Sequence, residues 1–98
     1  MKILLMCNAG MSTSIMKMKL ENEAKNLNIE ASVTAIPMGE MKDYIEDADA
    51  VLLGPQIRFA LNDVTKEAGE KPVMVISPQD FGMMKADKVM RELLELMK

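Results

Sequence analysis

Four apolar segments, each followed by a stretch with helical spacing, constrain this chain more than any other feature. They are KILLMC at 2–7, ASVTAIP at 31–37, AVLLGP at 50–55 and KPVMVIS at 71–77. The first lacks polar alternation and ends at a glycine-containing loop, which is how a strand buried on both faces reads. The second carries the β-branched residues Val33, Thr34 and Ile36 and stops at Pro37. The third closes on Gly54-Pro55. Between and after them the pattern turns helical. Met16, Leu20, Ala24 and Leu27 recur in a helix from Ser14. Met41 and Ile45 face inward from a short, weak helix in 38–48. Ile57, Ala60, Leu61 and Val64 line a helix ended by Gly69, and Val89, Met90, Leu93, Leu94 and Met97 share one face of the last helix. The order βαβαβαβα, with strands apolar throughout, predicts an α/β fold. Its four-stranded parallel sheet is doubly wound into three α/β/α layers by right-handed crossovers.

Ninety-eight residues form one domain, 1–98, without linker, repeat or low-complexity tract. A hydrophobic share of 49% against 28% charged residues reads as globular rather than disordered. A net charge of -3 argues against a nucleic-acid partner. The longest apolar run, Ile3 to Cys7, is far too short to span a bilayer and lacks the flanks of a secretory signal. A single cysteine cannot close an internal disulfide, which suits a reducing, cytoplasmic setting. Twelve methionines against three aromatic residues imply a core filled by flexible side chains, with some methionines free for a partner surface.

In a doubly wound sheet, ligands bind beyond the carboxyl ends of the strands, near the switch in winding. Cys7 ends the first strand, Gly54-Pro55-Gln56 follows the third, and Ser77-Pro78-Gln79-Asp80 follows the fourth. Three loops should therefore converge on one rim. After Cys7 comes a loop in which Gly10 lets successive backbone N–H groups point at one place. Ser12, Thr13 and Ser14 add hydroxyl donors and a helix cap, and the following helix directs its positive end at the same point. Together they predict a phosphate-sized anion site. The same field should favour thiolate over thiol, so that no histidine is needed to activate the sulfur. Taken alone, a free cysteine is often a small buried hydrophobe, and a hydroxyl-rich stretch before a helix is often only a cap. Joined at the end of a buried strand, the two point to a site.

Missing residues remove several chemistries. The chain has no G-x-x-x-x-G-K-[ST], no G-x-G-x-x-G and no C-x-x-C, so nucleotide loops and dithiol exchange are unsupported. With no histidine and one cysteine, neither a zinc site nor Cys-His acyl transfer is expected, and no cofactor is implied. Cysteine-dependent phosphatases are the nearest competitor. They place an arginine after C-x5 to clamp the phosphoryl group, whereas here that position is Thr13 and the arginines are Arg58 and Arg91. Without the clamp, hydrolysis should be poor, and a loop that holds phosphocysteine without hydrolysing it is a carrier.

LLMCNAGMSTS closely resembles the start of the IIB components of the bacterial sugar phosphotransferase system, of the lactose/cellobiose/chitobiose type. AVLLGPQI, some 45 residues on, resembles the third-strand segment of the same family, and the order of elements fits over essentially the whole chain. Asn8 departs from the pattern, in which a small residue such as serine or alanine is commoner. The resemblance implies that a phosphohistidine on a IIA partner donates its phosphoryl group to Cys7. The group then passes to a sugar held by a membrane-embedded IIC partner. By residue matching Cys7 is the acceptor, and Asn8, Ala9, Gly10, Met11, Ser12, Thr13 and Ser14 form the phosphate-binding loop. Gly54, Pro55 and Gln56 border it. Two other classes stay open: a low-molecular-weight phosphatase or arsenate-reductase-like enzyme acting alone, and a non-catalytic regulatory domain. Met11, Phe81, Met83 and Met84 are candidates for a partner-facing surface, against packing within the domain. Arg58 could meet an acidic partner patch or simply be solvated, and Tyr44 is expected to pack beside the weak helix. A monomer is expected, and Met1 directly before the first strand suggests a free-standing product.

Overall fold

In the computed structural model the described residues are 1–7 and 11–97, without the side chains of Met11 and Ser12. The first half runs β1 Lys2–Cys7, α1 Met11–Asn26, β2 Ser32–Pro37 and α2 Met41–Tyr44, the last set between 3-10 turns at Met38–Glu40 and Ile45–Asp47. The second half runs β3 Ala50–Leu53, a 3-10 segment Pro55–Ala60, α3 Leu61–Ala68, β4 Val73–Val75, α4 Pro78–Gly82 and α5 Ala86–Leu96. The strands form one parallel sheet in the order β2-β1-β3-β4. This is the expected four-stranded, doubly wound α/β architecture.

Alternation along β1 divides the core. Ile3, Leu5 and Cys7 point into a layer with Met16, Leu20 and Ala24 of α1 and Val89, Met90 and Leu93 of α5. Leu4 and Met6 point the other way, onto Ile45, Ile57, Val64 and Ala68. Every residue from Ile3 to Cys7 is buried, and so is all of β3. Each large side chain so placed contributes about 1.5–3 kcal/mol relative to an exposed position. The expectation of strands covered on both faces holds for these two central strands. It does not hold for the edges: β2 alternates exposed and buried residues, and β4 is half-buried throughout.

Other departures have local causes. α1 begins at Met11, three residues before the expected Ser14, because the hydroxyl-rich run is itself the first turn. Leu27 and Met97 lie just past the ends of their helices and are exposed. Asn28 turns the chain there at φ 60°, a conformation asparagine tolerates. Leu61 is also exposed, because the buried face of this segment runs through Ala60, Val64 and Ala68. Gly69 ends α3 as expected, at φ 68°, and its N–H bonds the carbonyl of Thr65 at 3.2 Å. The 38–48 segment is a single turn of α-helix between two 3-10 turns, and no side chain caps the amino end of any of the three. Its carbonyl end is held from elsewhere: Lys71 Nζ donates to the carbonyls of Ile45 and Glu46. α4 falls where a loop running into the last helix was expected. Ser77 accepts from the Asp80 N–H at 3.1 Å and Pro78 occupies the first helical position.

Candidate functional site

The winding direction reverses between β1 and β3. α1 carries the chain from β1 to β2 across one face, and the return to β3 crosses the other. The carboxyl ends of β1 and β3 therefore meet at a seam that neither crossover covers. Cys7 ends β1, and Gly54 follows β3 with its N–H bonded to the Met6 carbonyl at 2.8 Å. Two strand ends thus set a thiol beside a glycine.

The sulfur is buried, with Cys7 only 2% exposed. Thr13, in the first turn of α1, is also buried, and its Oγ1 lies 2.8 Å from Cys7 Sγ, with either atom able to donate. Its orientation follows from helical spacing: Thr13, Met16, Leu20 and Ala24 form one buried stripe. Ser14, one position on, is exposed. The hydroxyls expected to act together are therefore separated by the helix, with Thr13 at the sulfur and Ser14 facing solvent. They also lie inside the first turn rather than at the cap. No acidic residue occupies that turn, so no carboxylate there offsets the positive dipole end, which favours an anion. Asn8, Ala9 and Gly10 lie outside the described residues, as do the side chains of Met11 and Ser12.

From the segment after β3, Gln56 Oε1 accepts from the thiol across 3.8 Å. A Cβ at Gly54 would stand 2.7 Å from that oxygen, 3.2 Å from Cys7 Cβ and 3.4 Å from Cys7 Sγ. Gly54 has φ −65° and ψ 153°, which any residue can adopt, so the glycine serves space rather than conformation. Pro55, half-buried, opens the 3-10 segment and sets Gln56 on the outer side of the seam.

The third expected loop is occupied with its own structure. Ser77 caps α4, and the buried carboxylate of Asp80 pairs with Lys88 Nζ at 3.4 Å. Ile76 and Phe81 belong to the same buried layer as Cys7, so Phe81 is core rather than surface, and half-buried Met84 packs against it. Met83 is 68% exposed, leaving it the one of that trio on the surface. Arg91 pairs with Asp87 on the outside of α5, and Arg58 is exposed. Beside Arg58 stands Phe59, the most exposed large apolar side chain among the described residues at 75%. Tyr44 lines a groove with Lys2 and Ala48, by the opposite end of β1 from Cys7.

Among the described residues, the side-chain partners of the sulfur are Thr13 and Gln56, both neutral. Helix amides and a hydroxyl can bind a phosphoryl group there by hydrogen bonds, without the fixed positive charge of a guanidinium clamp. The specific role of Thr13 was hidden in the sequence among three hydroxyls. Its place three residues before Met16 in the buried stripe is the signal that distinguishes it once the helix begins at Met11.

A model of the family described as "PTS system, Lactose/Cellobiose specific IIB subunit" matches residues 2–92. The oligo-beta-mannoside-specific EIIB component of the phosphotransferase system of Bacillus subtilis is 37% identical over 98 residues, covering 98% of this chain and 95% of that protein. The cellobiose-specific EIIB component of Lactococcus lactis is 34% identical over 102 residues, covering 97% and 94%. Among solved structures, the cellobiose-specific phosphotransferase IIB component of Borrelia burgdorferi superposes with a TM-score of 0.78 at 38% identity, covering 98% of this chain and 90% of that one. The lactose-specific IIB domain of Streptococcus pneumoniae superposes with a TM-score of 0.85 at 14% identity, covering 100% and 98%, a likeness of fold alone.

Proposed function

This chain belongs to the lactose/cellobiose-specific IIB subunit family of the phosphotransferase system, and from that premise we propose that it is a phosphoryl carrier working through Cys7. The observation that carries this reading is a buried thiol at the seam of the sheet, set against the first turn of α1, whose side-chain partners are neutral. In the first step, the N–P bond of a phosphohistidine on a IIA partner breaks and an S–P bond forms at Cys7. The thiol proton ends on the departing imidazole. In the second step, a sugar hydroxyl on a membrane IIC partner attacks phosphorus, the S–P bond breaks, and the hydroxyl proton ends on sulfur. Both steps balance without a cofactor or metal.

The loop of Asn8, Ala9, Gly10, Met11, Ser12, Thr13 and Ser14 holds the phosphoryl group, with Gly54, Pro55 and Gln56 along its border. Amides at the start of α1 meet its oxygens, and Thr13 stays against sulfur. Lack of a charged clamp keeps the phosphocysteine from rapid attack by water and leaves it for the sugar. The carrier acts in the cytoplasm as a monomer, meeting its two partners in turn through the face around Cys7. Sugar phosphorylation in a reconstituted system tests the reading. Replacing the native chain by Cys7→Ser should abolish transfer while the variant folds normally. Activity within about tenfold of native, a barrier change of only about 1.4 kcal/mol, would remove Cys7 from this role. Steady release of phosphate from p-nitrophenyl phosphate would instead favour a phosphatase.

A further inference from the structure

We propose that the side-chain amide of Gln56 changes partner with the state of the sulfur: Oε1 faces the thiol, and after phosphoryl transfer the amide turns to donate Nε2–H to a phosphoryl oxygen. The inference rests on the carrier reading and gives that site one further phosphoryl-contacting residue. Three features of the seam lead to it. The thiol donates to Gln56 Oε1. The backbone at Gly54 is ordinary, yet a Cβ there would strike that oxygen at 2.7 Å, so the glycine keeps open a slot through which the amide reaches the sulfur. Thr13 meets the sulfur from α1 and Gln56 meets it from the segment after β3, so a phosphoryl group on the sulfur lies within reach of the Gln56 side chain.

The turn follows from charge. A thiol has one proton to donate, and a carbonyl-type oxygen is a fitting acceptor. A phosphocysteine has lost that proton and carries anionic oxygens, against which Oε1 is repelled. Rotation about the last side-chain torsion, which is broad and roughly two-fold, exchanges Oε1 for Nε2 in place. Gln56 is exposed, so no packing opposes the rotation. The amide then supplies one hydrogen bond and no charge. It stabilises the phosphorylated state without the bidentate positive clamp that would also assist attack by water.

The chain has two glutamines, Gln56 and Gln79, so their side-chain NH2 resonances can be told apart by one substitution. The native chain, Gln56→Leu and Gln56→Glu are each brought to equilibrium with a phosphorylated IIA protein of a lactose/cellobiose system. In the native chain the Gln56 amide pair should shift on phosphorylation and that of Gln79 should not. Gln56→Leu loses the charge-assisted bond of the phosphorylated state and the weaker neutral bond of the resting state, so the equilibrium constant for phosphorylation should fall about fivefold, the difference of about 1 kcal/mol between them. Gln56→Glu, the same shape with acceptors only, should lower it further. An unmoved Gln56 amide, or both variants within about twofold of native, overturns the inference while the carrier reading stands. A native chain that takes no phosphoryl group overturns both.

Discussion

Removing only the hydroxyl of Thr13 separates what the site does for folding from what it does for transfer. Thr13→Val keeps the β-branched shape in the buried stripe and deletes the group 2.8 Å from Cys7 Sγ. In the resting protein this is a hydrogen bond between neutral groups, worth about 0.5–1.5 kcal/mol net. The apolar methyl that replaces it suits the surrounding layer of Met16, Leu20 and Phe81. The net cost should be about 1 kcal/mol or less, a shift of about 4–8 °C in Tm at most. Transfer is different. As the phosphoryl group departs, sulfur takes up negative charge, and a hydroxyl donating to it makes a charge-assisted bond worth about 1.5–3 kcal/mol. Its loss from the transition state should slow transfer about 10- to 150-fold. Thr13→Ser keeps the hydroxyl and should recover most of the rate, although it loses a buried methyl. Single-turnover transfer from the phosphorylated chain to sugar on the IIC partner, followed by rapid quench, gives the rates, and thermal unfolding gives the stabilities. A Thr13→Val rate within threefold of native would refute the role assigned to this hydroxyl. So would a Thr13→Ser rate as low as that of the valine variant.

Leu5, fully buried at the centre of β1, should cost about 2–5 kcal/mol when cut to alanine, read as a lowered urea midpoint; an unchanged midpoint would contradict the layer assignment. Phe81→Ala should cost about 3–5 kcal/mol and Phe59→Ala about 0.5 kcal/mol or less, because one ring is core and the other is solvated; equal losses would refute that division. Lys71→Met should destabilise by about 1–3 kcal/mol, since it removes two charge-assisted hydrogen bonds to carbonyls at the end of the 38–48 segment. Amide exchange there should quicken relative to β3, and unchanged exchange would count against Lys71 as its cap.

What could be read in advance followed from strong, simple patterns. β1 and β3 are unbroken apolar runs because both faces are buried, and α5 carries a clean apolar face. The place of the seam was legible for the same reason: a strand that ends in Cys7 beside one followed by Gly54 fixes it once the sheet is parallel. Shorter elements were hidden by competing signals. Ser77-Pro78 is a helix start, yet it reads equally as a turn, and the helix behind it, α4, has only five residues. In 11–14, three hydroxyls suggested a cap, and the buried stripe that includes Thr13 becomes visible only when the helix is begun at Met11. The contact of Gln56 with sulfur depends on space at Gly54, a property of three dimensions that spacing along the chain does not carry.

The central claim is that Cys7 itself carries the phosphoryl group. Intact mass after incubation with a phosphorylated IIA protein, with the modified residue mapped by fragmentation, tests it most directly. One added phosphoryl group is expected on the native chain, located on the peptide that holds Cys7, with none on Cys7→Ser, and it should be lost on adding the IIC partner with its sugar. A phosphoryl group on any other residue, or equal labelling of Cys7→Ser, would contradict it.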